Sequence, residues 1–90
     1  MKIVHKGKVY NTESSVEIYF DGNAETMTYR TAKGNYFSVN DNTSELTPLT
    51  EEEVMDNYLN YIGIDNFTKN DEVIEVLPRL TEYAASLVEA

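Results

Sequence analysis

Apolar residues alternate with polar ones in short runs through the first fifty positions and recur every three or four residues after that, which predicts strands first and helices afterwards. Ile3-Val4 and Val9-Tyr10 flank Lys6-Gly7, giving two short strands around a turn in which glycine supplies the unusual φ. Residues 12–20 admit two readings. Val16, Ile18 and Phe20 alternate with Ser15, Glu17 and Tyr19 as in a strand. Alternatively, Asn11 or Thr12 caps a short N-terminal helix with Val16, Tyr19 and Phe20 on one face, and the capping residues favour this helix. Asp21-Gly22-Asn23 then ends the segment as a turn.

A hairpin follows. Residues 25–31 and 35–39 are rich in β-formers and alternate, and Ala32-Lys33-Gly34 between them puts glycine where a three-residue loop needs a left-handed position. Residues 40–44 read as a loop, and residues 45–49 as a short edge strand, because Pro48 has no N–H for a central ladder. Thr50 with Glu53 forms a capping box, and Met55, Tyr58, Leu59 and Ile62, widened by Val54 and Tyr61, make the apolar stripe of a helix that Gly63 stops. Asn70 can cap a second helix with a stripe through Val73, Val76, Leu77, Leu80, Tyr83, Ala84 and Leu87. The stripe keeps one phase across Pro78, so a single kinked helix or two abutting ones are expected. The predicted class is α+β: a small antiparallel sheet, a short N-terminal helix, and two C-terminal helices packed on one face.

Ninety residues are too few for a second independent core, so residues 1–90 form one domain. An apolar fraction of 41 % supports a folded core despite the charge. The absence of cysteine excludes a disulfide framework, thiol catalysis and any Cys-ligated metal. The opening residues lack the pattern of a signal peptide and no apolar run is long enough to span a membrane, so a cytoplasmic chain without a membrane partner is expected.

Charge divides the chain. The first forty residues hold five bases and four acids, whereas the remaining fifty hold twelve acids against Lys69 and Arg79, for a total of −9. Phosphate binding needs clustered Lys and Arg, so direct contact with nucleic acid is not expected.

Catalytic chemistry finds little to stand on. His5 is the single histidine, too few ligands for zinc. The run from Asp21 through Asn23 and Glu25 fails as a calcium loop, with Thr26 where glycine is required and Ala32 where glutamate is. There is no Gly-rich phosphate loop, and no spacing pairs a nucleophile with a base. No cofactor, metal or enzymatic activity is expected.

The carboxylates remain. Glu51, Glu52, Glu53 and Asp56 open the first helix, and Asp71, Glu72 and Glu75 open the next. In a helix Glu52 and Asp56 are neighbours with Cβ atoms about 5–6 Å apart, similar to successive phosphates on a strand, so such a face can imitate a nucleic-acid backbone. The ordinary role of acids here is to complement two helix dipoles, at about 0.3–1 kcal/mol each. Arg79, four residues from Glu75 and three from Glu82, is expected to neutralise that end of the face.

Three segments carry a resemblance: residues 8–13, with Lys8-Val9-Tyr10-Asn11-Thr12-Glu13; residues 29–37, from Tyr29-Arg30-Thr31 to Tyr36-Phe37; and residues 46–53, from Leu46-Thr47-Pro48 to Glu53. In this order they resemble small phage and mobile-element proteins of Gram-positive bacteria that are similar to type I anti-CRISPR proteins. The resemblance implies an inhibitor of a host defence complex, with a CRISPR effector or Cascade-type assembly as partner. Joined to the charge, it points to Glu51, Glu52, Glu53, Asp56, Asp71, Glu72 and Glu75 meeting a basic nucleic-acid-binding protein, whose DNA channel is itself positively charged. An acidic adaptor or an antitoxin-like module would have the same composition. The Tyr- and Thr-rich hairpin strands also leave open a homodimer beside a monomer.

Overall fold

Lys6 (φ 47°) and Gly7 (φ 78°) both take left-handed backbone, the type I′ combination whose twist matches that of paired strands. They join β1 (Lys2–His5) to β2 (Lys8–Asn11), with Ile3 opposite Tyr10 and Val4 opposite Val9. This is a computed structural model that describes all residues from Met1 to Ala90. A second, four-stranded antiparallel sheet has the order β3 (Val16–Asp21), β4 (Thr26–Arg30), β5 (Tyr36–Asn40), β6 (Leu46–Leu49). Then come α1 (Glu51–Ile62), single 3-10 turns at Ile64–Asn66 and Glu72–Glu75, and α2 (Leu80–Ser86). The class is α+β, with two sheets where one was expected.

The expected N-terminal helix is absent. The capping chemistry read at Asn11 closes a turn instead: its side chain accepts from the Glu13 N–H at 3.0 Å, and the Ser15 hydroxyl donates to its carbonyl at 2.7 Å. An Asn side chain accepts from a following backbone N–H in a turn as it does at a helix start, so local chemistry alone does not choose. The strand reading of Val16–Asp21 prevails, with one irregularity. Glu17 pairs with Tyr29 and Tyr19 with Thr28, so Ile18 is the extra residue of a bulge. The bulge lets Ile18 and Tyr19 both pack toward α1, and it turns Phe20 out, leaving that residue 40 % exposed.

Successive strand residues point to opposite faces, and Tyr36 and Phe37 divide accordingly. Tyr36 joins Ile18 and the helices in one core with Val54, Met55, Tyr58, Leu59, Leu77 and Leu80. Phe37 joins Val39, Leu46 and Tyr10 in a second core beneath the β1–β2 hairpin. The helices do pack on one face as expected; the other face is covered by the hairpin. Pro48 lies in the edge strand β6, opposite Phe37. The Tyr- and Thr-rich strands β4 and β5 are central in the sheet, so both their edges are already paired and they cannot build the dimer seam that was considered.

Thr50 caps α1 as predicted, with its hydroxyl accepting from the Glu53 N–H at 3.1 Å and the Glu53 carboxylate accepting from the Thr50 N–H at 2.9 Å. Val54, Met55, Tyr58 and Leu59 are buried, each such side chain contributing about 1.5–3 kcal/mol. Tyr61, read as part of that stripe, is 44 % exposed. The second helix is shorter than its stripe. A 3-10 turn capped by Asp71 rather than Asn70 gives way at Leu77-Pro78, and α2 begins at Leu80. Proline cannot continue the ladder, yet the turn preserves the phase, so Leu77 and Leu80 are both fully buried.

Candidate functional site

The seven acids proposed from the sequence all lie in the helical layer but do different work. Glu51 is only partly exposed; its carboxylate pairs with the Arg79 guanidinium at 3.2 Å and accepts from the Tyr36 hydroxyl at 3.4 Å. Burial raises the Tyr36 pKa, opposed by Arg30 and reinforced by Glu51. Glu53 is exposed, but one oxygen closes the capping box. Asp71 caps the 3-10 turn through the Val73 N–H at 2.9 Å and accepts from the Tyr58 hydroxyl at 2.5 Å. Burial, then the Asp71 hydrogen bond and charge, push the Tyr58 phenol far up.

Glu52 and Asp56 share the flank of α1 that faces α2. Asp56 accepts from the Tyr83 hydroxyl at 2.5 Å. That hydrogen bond, with smaller contributions from desolvation and the charges of Asp56 and Glu52, raises the Tyr83 pKa from 10.0 to about 12. Glu72 and Glu75 are exposed on the 3-10 turn, with no hydrogen bond from either side chain. The structure therefore brings Glu52 and Asp56 together beside Tyr83, ties Glu51 to Arg79, and sets Asp71 against Tyr58, a residue whose ring packs on Tyr19 5.1 Å away.

Arg79 corrects one expectation. It reaches back across the fold to Glu51 instead of neutralising Glu75 and Glu82: Pro78 and the break before α2 remove the helical spacing to Glu75, while Glu82, in the first turn of α2, keeps its spacing and is left without an ion pair. The two ion pairs in the molecule are Arg79–Glu51 and the N-terminal amine with Glu13. Glu52, Glu53, Asp56, Asp71, Glu72, Glu75 and Glu82 thus have no cationic partner.

Opposite charge is present on the other side of the sheet. The hairpin carries Lys2, Lys6 and Lys8, all exposed, and its outward cross-strand pair Val4 and Val9 is 74 % and 63 % exposed. His5 lies edge-on to Tyr10, ring centroids 6.3 Å apart. Nowhere do three His, Asp or Glu side chains converge closely enough to hold a metal ion, and no helix is long and apolar enough to cross a membrane. Every buried side-chain nitrogen and oxygen has a hydrogen-bond partner.

Sequence reasoning missed Tyr83 as the partner of Asp56, and it missed a groove formed by the end of α1 and the segment after α2, rimmed by Asp56, Asp65 and Glu89. The available signal was Leu87, the last residue of the apolar stripe, which lies beyond the end of α2 and is 44 % exposed. Comparison with known proteins finds no matching family model, no matching curated protein and no matching solved structure.

Proposed function

We propose that the protein is a non-enzymatic inhibitor of a bacterial defence complex, binding a basic nucleic-acid-binding surface through the acids of its helical layer. One observation carries the reading: residues 51–90 hold ten carboxylates against Lys69 and Arg79, and the Arg79–Glu51 contact is the single ion pair among them. Uncompensated surface charge of one sign steers a partner of the other sign and raises its on-rate. The resemblance of residues 8–13, 29–37 and 46–53 to anti-CRISPR-like proteins supports an RNA-guided surveillance complex as that partner. Its DNA channel offers the required positive charge.

The exposed lysines and valines of the β1–β2 hairpin favour a second reading, an adaptor that holds different partners on its two sides. The experiment is binding to a purified surveillance complex, with and without competing target DNA. Binding weakens as salt rises, target DNA displaces the protein, and Glu52→Lys with Glu72→Lys and Glu75→Lys abolishes the interaction while circular dichroism is unchanged. Salt-independent binding contradicts charge mimicry, and full binding by the triple variant contradicts the site.

A further inference from the structure

The C-terminal end of α1 and the extended chain after α2 enclose an open groove of about 520 Å³. Leu59 and Ala84 form its base, and Ile64, Leu87 and Val88 its walls. The wall residues are 52 %, 44 % and 89 % exposed, so three aliphatic side chains lie side by side in water along one groove. Asp56, Asp65 and Glu89 stand on the rim, no Lys or Arg lines the groove, and none of the three acids has an ion-pair partner.

We infer that this groove receives an amphipathic basic segment of a partner protein. An apolar side chain of that segment seats against Ile64 and Leu87, and flanking Lys or Arg side chains reach Asp56, Asp65 and Glu89. The inference rests on the helical layer being the partner-facing side and adds what charge alone lacks. Exposed charges steer and are screened by salt within about 8 Å, whereas an apolar anchor in a desolvated pocket supplies affinity that salt does not remove. The sign of the rim selects a cationic occupant. A second copy of this chain carries the same net charge of −9, which opposes its approach as a whole; its lysine-bearing hairpin offers the groove positive charge, and sedimentation separates that occupant.

The test titrates the full chain with three synthetic peptides while amide NMR shifts and binding heats are followed. One peptide has leucines at helical i, i+3, i+4 and i+7 positions with lysines elsewhere; the second is its scrambled isomer; the third is oligolysine. The amphipathic peptide binds more tightly than its isomer, and its shifts centre on residues 59–65 and 84–89. Ile64→Ser with Leu87→Ser, both at exposed positions, lowers its affinity about tenfold or more and leaves oligolysine binding unchanged. Equal binding of the two isomers, or equal binding by wild type and the double variant, overturns the inference. So does sedimentation of the wild type as a dimer that the double variant disperses, since a second copy then fills the groove. The peptides do not involve the surveillance complex, so the two proposals fail separately: the lysine triple variant reports on the complex, the serine double variant on the groove.

Discussion

The two faces of the four-stranded sheet are covered by different means, one mixed in charge and the other strongly acidic. The helical face buries eight residues in one cluster, including Val54, Leu77 and Leu80 with no exposed surface. The hairpin face buries four, sealed by Tyr10, whose ring meets Phe37 edge-on with centroids 5.1 Å apart. Outside, the hairpin presents three lysines and two valines, and the helices present carboxylates. The difference shows that charge is uneven across a small domain: the lysines of the hairpin stand on the same side as Glu17 and Asp41, whereas the helical layer is acidic almost throughout, and each layer contributes its own core.

The largest effects should come from the two cores. Phe37→Ala under the hairpin is expected to cost about 3–5 kcal/mol, and Leu80→Ala under the helices about 2–5 kcal/mol, read from urea unfolding. Either is a large share of the total stability of about 5–15 kcal/mol usual for a domain. A Phe37→Ala cost below about 1 kcal/mol, outside that range, would break the comparison by showing that the hairpin does not seal its face. Next, Thr50→Ala removes one arm of the capping box and should cost about 0.5–2 kcal/mol, with loss of helical dichroism but no change in the hairpin amides. Arg79→Met frees Glu51 and should cost about 1 kcal/mol or less, because the Arg79 side chain is 70 % exposed; its larger consequence is a more negative helical face.

The smallest effect is in alkali. Tyr83 in the folded chain titrates at about 12 against 10.0 unfolded, so its bond to Asp56 stabilises the fold fully below pH 10 and is lost as pH rises toward 12. Asp56→Asn should bring the Tyr83 phenol back down, followed by ultraviolet phenolate absorbance; an unmoved titration contradicts the Asp56 contact.

Much of the fold was legible where local chemistry had a single outcome. Lys6-Gly7, the loop at Gly34, Pro48 in an edge strand and the Thr50–Glu53 box each fixed an element. Residues 12–20 misled because the Asn11 side chain accepts from a backbone N–H in a turn as it would at a helix start, and because the bulge at Ile18 disrupts the strand period. Of the site, sequence order located the acids in one layer, but the Arg79–Glu51 and Tyr83–Asp56 contacts join residues 28 and 27 positions apart. Such pairings depend on how the chain turns at Pro78, which periodicity does not encode.

The central claim is that negative potential concentrates over the helices and not over the hairpin. Paramagnetic relaxation of the amides by a cationic and an anionic nitroxide of the same size measures this residue by residue. The cationic probe should dominate along residues 51–56, 71–75 and 82–89, and lose that advantage along residues 2–9; equal enhancement by the cation over both layers would contradict the account.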